Sequence, residues 1–432
     1  MQLNAILCTA TATPLSTYTL VIGGSLVLIA SYLISRFSHK TNIPSPLILI
    51  ALGMVLKVAM ERAGWGSVPN QDLVLEVLGT VGLIFIVLEA ALDLKLSRDK
   101  AGIILKSLFA SVLGLGLTAG VVAWIFTSAL GMGWAQAFVY AIPLGILSSA
   151  IIIPSVGGLP EREREFAVYE STFSDIAGIM GFYLAIGIAE GGEARTAVGE
   201  FGVNFGLTIA LAFVLGYALL LVLQRIRSGA RLALTLSVLL LIYSIQKLAG
   251  LSPLILILLF GLMVGNPKLF FPGRLRKHID PDRLHDIHED FHLVTLESAF
   301  VVRTFFFVMF GVSIALASLA DAALVLMSLA ISVAIYIIRW LVLAVLMRGA
   351  KGSLLWLAPR GLITILLFFQ IGSHHVELVN PKFSEGVLLV VIFSTSLVMA
   401  AALIRRGLDV APSIEVGEAG LENENVEPDG KE

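Results

Sequence analysis

The chain has 432 residues, of which 57% are hydrophobic and only 14% are charged, and its mean hydropathy is +0.94. A soluble domain is about 45–50% apolar and about 25% charged, so this composition excludes an ordinary soluble protein and indicates a chain that crosses a membrane repeatedly. The formal net charge of −2 gives no reason to expect nucleic acid as a partner, and the single cysteine, Cys8, excludes an internal disulfide framework and a cysteine-based metal cluster.

Long apolar segments separated by charged residues, glycine or proline make up most of the chain. Residues 1–14 lack a basic stretch before the first of them, so we do not expect a cleaved signal peptide. The pattern predicts an all-α polytopic membrane protein with thirteen transmembrane helices. The predicted spans are residues 17–36, 43–60, 73–94, 101–130, 134–157, 165–189, 199–224, 231–249, 251–266, 291–317, 321–347, 350–373 and 383–404.

Lysine and arginine are concentrated in alternate loops between these spans, for example Arg162 and Arg164 after the fifth span. Because basic loops favour the cytoplasmic side, the asymmetry predicts an N-terminus outside and a C-terminus in the cytoplasm. The loop 267–290 is the one sizeable soluble connection that we expect. The tail 407–432 is acidic and poor in large apolar residues, so we expect it to be disordered and cytoplasmic.

Thirteen spans divide into six, one and six, with the span at 199–224 as a connecting helix. An odd number of spans then separates corresponding helices, which predicts inverted six-helix repeats. Two interrupted segments occupy corresponding places: span five contains Pro143 and Pro154, and span twelve contains Pro359. Proline removes a backbone donor and interrupts a helix. Two broken helices in equivalent positions indicate a binding site near the middle of the membrane.

One polar run, Tyr169-Glu170-Ser171-Thr172-Phe173-Ser174-Asp175, lies inside the apolar sixth span. Asp175 is roughly 15 Å into that helix at a rise of about 1.5 Å per residue, which is half the thickness of an apolar layer. A carboxylate there costs about 2.5–3.5 kcal/mol, so it should be paired, hydrated or functional. Glu170 and Asp175 lie about 140° apart around the helix, so we expect them to meet different neighbours, whereas Ser171 shares a face with Asp175.

Few other charges lie at membrane depth: Glu89, Glu297, Arg303, Arg339 and Arg360. Arg360 is about 12 Å into span twelve and Glu170 about 7–8 Å into span six from the same side. An unpaired buried charge is costlier than a buried ion pair, so we expect Glu170 to pair with Arg360. That pairing would leave Asp175 without a fixed cation and able to exchange a proton for a metal ion.

These residues carry a family resemblance that covers roughly residues 20–405. The stretch Ser148-Ser149-Ala150 to Pro154, followed by residues 170–175 (ESTFSD), resembles the cation/proton antiporters, and most closely the electroneutral NhaP-type branch that includes the animal sodium/proton exchangers. That branch carries Glu-Ser-x-x-Asn-Asp in span six. Arg360-Gly361 resembles a Leu-Arg-Gly motif of the family, whose arginine pairs with the span-six glutamate, and Arg339 matches an arginine one span earlier. Phe306–Ser313 is similar to the family's tenth span, and Glu89 matches an acidic position of its third span.

The resemblance implies an NhaA-like antiporter fold and one-for-one, electroneutral exchange of a monovalent cation, Na⁺ before K⁺ or Li⁺, for a proton by alternating access. It implies no enzymatic activity and no cofactor beyond the transported ions. Asp175 would exchange proton and cation, and Glu170 with Arg360 would form an ion pair in the core. The expected cation ligands are Asp175, Ser171, Ser174, Glu89 and Ser149.

The resemblance also implies a homodimer in the lipid of a membrane, which we expect to be the bacterial inner (plasma) membrane. Within residues 1–406, it implies two core bundle repeats that move against dimerisation or scaffold helices. The core repeats would be residues 101–190 and 321–406, the scaffold residues 17–94 and 231–317, and the linker helix residues 199–224.

Two departures from the family pattern concern the ion site. Ser174 replaces the asparagine before the aspartate, and a single carboxylate there implies electroneutral exchange. Ile152-Ile153 replaces the usual Thr-Asp before the span-five proline, where the family has a contributor to the cation site. Ser148 and Ser149, or the open backbone beside them, are the groups that would compensate.

Several alternatives remain open from the sequence. Ser148-Ser149-Ala150 also resembles the potassium efflux branch, so K⁺/H⁺ exchange is one alternative, and Ile152-Ile153 motivates another, a sensor or scaffold without transport. An intramembrane aspartyl protease would need two carboxylates that share a proton. Asp175 is the only aspartate that we expect deep in the membrane, which disfavours a protease. A further alternative is that Asp175 is a structural carboxylate held by hydrogen bonds.

Other polar side chains have a structural and a functional interpretation. Glu89 is either a cation ligand or a solvated charge at a helix end. Glu297 and Arg303 are six residues apart and do not face each other on a helix, so each needs another partner or belongs to the ion site. His288 and His292 have metal-ligand spacing within a histidine-rich segment, which also contains His278 and His285, but a solvated helix or pH sensing fits them too. We expect the pair 374–375 to be a surface feature of an outer loop.

Overall fold

The structure is a computed structural model, and it describes residues 17–41, 43–63, 71–190, 194–225, 237, 240–241, 243–244, 253–271, 281–313, 321–347 and 351–406. This part of the chain is helical and contains no β-strand. Eight of its helices are long and apolar enough to cross a membrane, and two shorter ones are also apolar. The all-α membrane fold predicted from the sequence is therefore confirmed.

The α-helices of the described ranges are numbered here in chain order. They are α1 (Thr17–Thr41), α2 (Ser45–Arg62), α3 (Gln71–Asp93), α4 (Ala101–Leu130), α5 (Trp134–Gly145), α6 (Ser149–Ser155), α7 (Glu161–Ala189), α8 (Ala194–Leu223), α9 (Pro253–Gly265), α10 (Pro267–Phe270), α11 (Pro281–Ser313), α12 (Ala322–Leu346), α13 (Lys351–Leu354), α14 (Leu362–His374) and α15 (Gly386–Arg406).

Twelve of the thirteen predicted spans coincide largely with one or two of these helices. The remaining span, 231–249, lies outside the described residues except at five positions. The boundaries agree within a few residues in most cases. The exception is α11, which begins at Pro281, about ten residues before the predicted start at 291. The expected soluble loop 267–290 is therefore shorter, since the short α10 occupies its first residues and proline is well suited to the first turn of a helix.

Local sequence signals explain where several helices begin and end. Asp321 caps α12, because its carboxylate accepts hydrogen bonds from the amides of Ala323 and Leu324 at 2.9 and 3.4 Å. Pro160 precedes α7, and the acidic Glu161 in its first turn faces the positive end of the helix dipole. Gly131 ends α4 with φ of 69°, a left-handed conformation that favours glycine.

The helices pack into two groups. In one group α4 packs against α5, α7 and α12, and α12 packs against α15. In the other group α11 packs against α1, α2 and α3, while α9 packs against α3 and α8. Helix α14 contacts α5 and α7 of the first group and α3 of the second, so the boundary between the groups runs along α3, α7 and α14.

Spans five and twelve are broken as predicted, and their breaks meet. The extended residues 146–148 separate α5 from α6, and the irregular residues 355–361 separate α13 from α14. The amide of Ser148 donates to the carbonyl of Pro359 at 3.0 Å, and the Thr364 hydroxyl donates to the carbonyl of Pro143 at 2.9 Å. Each break thus supplies partners for backbone groups that the other leaves without helical hydrogen bonds, as a non-aqueous environment requires.

Candidate functional site

Asp175 lies on α7 beside the break in span five. Its side chain is only 5% exposed, and its carboxylate accepts hydrogen bonds from both the hydroxyl and the backbone amide of Ser149, at the start of α6. The other carboxylate oxygen, Oδ1, is buried and has no hydrogen-bond partner within the described residues. A buried carboxylate with an unpartnered oxygen has one coordination position available for a proton or a cation.

Asp175 lines a small cleft on the boundary between the two helix groups. Helices α7 and α14 line one side, and α3 and α9 line the other. The lining residues are Ile86, Val87, Ala90, Thr172, Asp175, Ile176, Ile179, Met180, Ile255, Leu258 and Ile363. Among the described residues of this mostly aliphatic lining, Asp175 alone is ionisable, so it dominates the electrostatics that they create in the cleft.

The predicted ion pair between Glu170 and Arg360 is wrong. Arg339 of α12 pairs with Glu170 instead, through two hydrogen bonds of 3.2 and 3.1 Å from its two terminal nitrogens. Both side chains are buried, and the Arg339 Nε also donates to the carbonyl of Leu354 at 2.8 Å. A two-bond pair between a guanidinium and a carboxylate is among the strongest polar contacts in proteins, so Glu170 has no remaining need for a second arginine.

Arg360 has a different environment because it lies in the irregular segment between α13 and α14. Its Nε donates to the carbonyl of Leu144 at 2.6 Å, and its Nη1 donates to the carbonyl of Ala358 at 3.0 Å. Leu144 belongs to the last turn of α5, where carbonyls lack helical partners and the helix dipole is negative. Arg360 therefore stabilises the broken end of span five, and its own amide is held by the hydroxyl of Thr395 at 3.2 Å.

Glu170 and Asp175 lie on different faces of α7, as their spacing predicts. Glu170 and Ser174 line a second cavity, which residues of α4, α5 and α12 and Arg360 also line. Asp175 lines the cleft toward α3 and α9. The expectation that the two carboxylates meet different neighbours is confirmed.

Glu89 pairs with Arg303, which joins α3 to α11. Arg303 Nη2 lies 3.3 and 3.4 Å from the two Glu89 carboxylate oxygens, and both side chains are partly buried. The prediction that Arg303 needs a partner other than Glu297 is confirmed, and Glu297 itself is exposed. Glu89 is not among the residues that line the cleft at Asp175, although its neighbour Ala90 is.

Two of the predicted cation ligands have other partners in this structure. The Ser171 hydroxyl donates to the carbonyl of Val168 in its own helix at 3.1 Å. The Ser174 hydroxyl accepts a hydrogen bond from the amide of Leu147 at 3.0 Å, so it satisfies a backbone group in the break of span five. Of the predicted set, Ser149 is the residue that meets Asp175 directly. The role of each residue in binding a cation stays a prediction.

Thr172 is a cleft residue that the sequence analysis did not select. It precedes Asp175 by three residues on the same face of α7 and lines the cleft with it, while its hydroxyl donates to the carbonyl of Val168 at 2.9 Å. The three-residue spacing is the signal that would have found it. At the family's Thr-Asp position, Ile152 is buried and Ile153 half-buried, so neither brings an oxygen to the site.

His288 and His292 of α11 make hydrogen bonds to the end of α3 and, among the described residues, do not form part of a metal-ligand cluster. His292 Nε2 lies 2.8 Å from the carboxylate of Asp93, and His288 Nε2 lies 3.2 Å from the carbonyl of Leu92. Both contacts attach α11 to the end of α3.

At the start of α7, Lys100 pairs with Glu165, and this hydrogen bond raises the pKa of the Lys100 amine.

Comparisons with known proteins agree with this geometry. The family model described as "Sodium/hydrogen exchanger, transmembrane" matches residues 25–397, which is most of the chain. The chain belongs to this family of sodium/hydrogen exchangers. The resemblance derived from residues 148–175 and 360–361 is thereby confirmed, and membership supports cation/proton exchange as the function.

Two solved structures of the sodium proton antiporter MjNhaP1 from Methanocaldococcus jannaschii are similar to this chain. The structure at pH 8 is 19% identical, covers 91% of this chain and 94% of its own, and has a TM-score of 0.63. A structure from an electron-microscopy map is 17% identical, covers 96% of this chain and all of its own, and has a TM-score of 0.66. This likeness confirms the NhaA-like antiporter fold that the family resemblance implies.

Proposed function

We propose that the protein exchanges one monovalent cation, Na⁺ before K⁺ or Li⁺, for one proton at Asp175, by alternating access. One observation carries this proposal. Within the described residues, the carboxylates of Glu170 and Glu89 each pair with an arginine, whereas Asp175 has Ser149 and an unpartnered oxygen. A charged carboxylate without a cation is costly at this depth, so it must bind either a proton or a metal ion.

The stoichiometry follows from the number of available carboxylates. Because Glu170 and Glu89 each have an arginine as partner, we assign the change of occupant to Asp175 alone. A proton and a monovalent cation carry the same charge, so their exchange on one carboxylate moves no net charge across the membrane.

The ligands of the cation are oxygen atoms, which hard cations prefer. Asp175 Oδ1, the Ser149 hydroxyl and the Thr172 hydroxyl are the candidates, because a hydroxyl that donates to Val168 keeps its lone pairs for a cation. Ser171 donates to the same carbonyl but is not among the residues that line the cleft. Ser174 instead holds the break in span five, and Glu89 holds α3 to α11. These roles modify the ligand set expected from the sequence.

Alternating access would use the boundary between the helix groups. The cleft has α7 and α14 on one side and α3 and α9 on the other, so a displacement of one group relative to the other changes the access of Asp175 to each face of the membrane. We assign the group of α4, α5, α7, α12, α14 and α15 to the moving core and the group of α1, α2, α3, α9 and α11 to the scaffold, with α8 as linker. A homodimer, an outer N-terminus and a cytoplasmic C-terminus in a bacterial inner membrane complete the proposal.

The test is proton flux in proteoliposomes, with Na⁺, Li⁺ and K⁺ added separately. Wild type should release protons on addition of its cation, and Asp175→Asn should not, since an amide holds neither an exchangeable proton nor the charge. Glu297→Gln is the matched control, because it makes the same change at an exposed position of α11, and it should retain flux. Absence of flux with every cation between about pH 6 and pH 9 would contradict the proposal and favour a sensor or scaffold.

A further inference from the structure

A second cluster of ionisable groups lies at the end of the core remote from the Lys100–Glu165 pair. Glu190 follows the last residue of α7, and His375 follows the last residue of α14. The His375 imidazole Nδ1 is hydrogen-bonded to the Glu190 carboxylate and lies 3.9 Å from an oxygen of Glu377. One nitrogen and two carboxylate oxygens therefore converge, and all three lie within 4.8 Å of one another.

The backbone holds each of these residues in place. The Glu190 amide donates to the carbonyl of Ile186 at 2.9 Å, so this residue continues the last turn of α7. The His375 amide donates to the carbonyl of Ile371 at 3.2 Å, and its carbonyl accepts from the amide of Leu378 at 2.8 Å. The second contact closes the short 3-10 turn Val376–Leu378, which contains Glu377.

Small side-chain movements would adapt this cluster to a small divalent metal. Zn²⁺ binds imidazole nitrogen and carboxylate oxygen at about 2.0–2.2 Å, and two ligands of a tetrahedral ion are then about 3.4 Å apart. To reach this separation, the His375 Nδ1 and the Glu377 oxygen, now 3.9 Å apart, need to approach each other, and the hydrogen-bonded Glu190 oxygen needs to move away from Nδ1. The imidazole side chain is 20% exposed and the two carboxylates 39% and 61%, so an ion and a water as fourth ligand can reach the cluster from solvent.

We propose that Glu190, His375 and Glu377 form a binding site for one Zn²⁺ ion, separate from the exchange site at Asp175. The ion would replace the proton that the imidazole shares with Glu190 and would link the end of α7 to the turn after α14. A mixed nitrogen and oxygen ligand set with one open position is typical of Zn²⁺ and excludes Na⁺ and K⁺ as its natural occupants. The proposal does not depend on transport through Asp175.

Zinc binding to the purified full chain in detergent tests this assignment, with a competing fluorescent chelator as the reporter. Wild type should bind one Zn²⁺ per chain at this site. His375→Ala and Glu377→Gln should each weaken binding about tenfold or more, since loss of even an outer partner of a metal ligand has that effect. His39→Ala removes a histidine remote in the sequence and should leave the affinity unchanged.

The thermal midpoint, measured with and without ZnCl₂ for the same four proteins, checks that the variants are folded and that the ion binds the folded state. Zn²⁺ should raise the midpoint of wild type and of His39→Ala, because a ligand of the native state stabilises it, and should not raise that of His375→Ala. No saturable zinc binding by wild type would overturn the proposal. Binding of equal strength in wild type, His375→Ala and Glu377→Gln would overturn it as well.

Discussion

The two faces of α7 carry carboxylates five residues apart that have opposite environments. Glu170 is 2% exposed and receives two hydrogen bonds from Arg339, and a cavity lined by α4, α5 and α12 lies beside it. Asp175 is similarly buried, but its donors come from Ser149, its Oδ1 has no hydrogen-bond partner among the described residues, and the residue lines a cleft on the boundary between two helix groups. In the proposed mechanism, the partner rather than burial decides which carboxylate is structural and which is available for exchange.

The difference arises from the elements that face each side of the helix. The Glu170 face meets α12, a regular helix that places Arg339 beside the Glu170 carboxylate. The Asp175 face meets Ser149 at the start of α6, and within the described residues no arginine or lysine pairs with Asp175. An unpaired acid at that point is consistent with a chain in which the transported ion supplies the missing positive charge.

Breaking the Glu170–Arg339 pair should give the largest loss of stability. Arg339→Met leaves a buried carboxylate without a partner and should lower the free energy of unfolding by about 3–5 kcal/mol, whereas Glu170→Met combined with Arg339→Met should recover most of that loss. Denaturant unfolding in detergent measures both, as a double-mutant cycle. Additive losses in the double variant would mean that the two residues do not act as a pair.

The contact between the two broken spans allows a second test, with a matched control glycine in the same span. A Cβ atom at Gly361 would lie 2.5 Å from the Ser148 hydroxyl, whereas a Cβ at Gly372 meets nothing within 4 Å. Gly361→Ala should therefore cost about 1–3 kcal/mol and reduce exchange, because it displaces the break beside Asp175. Gly372→Ala should be neutral or stabilising by up to about 1 kcal/mol. Equal midpoints for the two variants would contradict the close contact.

Much of this comparison could be predicted from the sequence. Twelve predicted spans have described helices because the apolar periods are long, and the two breaks follow from Pro143 and Pro359. The angular separation of Glu170 and Asp175 also follows directly from helical geometry. These features depend on local sequence, so no knowledge of packing is needed to find them.

The pairing of the arginines could not be predicted in the same way. Depth along the helix axis suggested Arg360 for Glu170, since both lie at similar heights. The choice depends instead on lateral position: Arg339 projects from α12 toward α7, while the free carbonyls at the end of α5 take up the Arg360 guanidinium. The start of α11 at Pro281 was missed for a related reason, because its first two turns are polar and packing against α3 extends the helix.

The Glu89–Arg303 pair sharpens the comparison from the scaffold side. The pair is partly exposed, so its removal in Glu89→Gln should cost less than loss of the Arg339 pair, about 1–2 kcal/mol. The double variant Glu89→Gln with Arg303→Met should keep the cation selectivity of the wild type in the proteoliposome assay. A changed order of preference among Na⁺, Li⁺ and K⁺ would instead identify Glu89 as a ligand.

The Lys100–Glu165 pair at the start of α7 should give the smallest effect. Its hydrogen bond raises the pKa of Lys100 in the folded protein, so the stabilisation is complete below the ordinary lysine pKa and is lost as the pH rises through the raised value. Lys100→Met should therefore cost at most about 1 kcal/mol, and this cost should be constant from about pH 6 to about pH 9. A cost that varies within this range would point to a different partner.

Proton release upon cation binding tests the central claim most directly. Purified wild-type protein in weakly buffered detergent solution should release about one proton for each Na⁺ bound, under conditions where Asp175 is protonated at the start. Asp175→Asn should release none, and Glu297→Gln should behave as wild type. Release that persists in Asp175→Asn, or two protons for each cation in wild type, would contradict exchange on a single carboxylate.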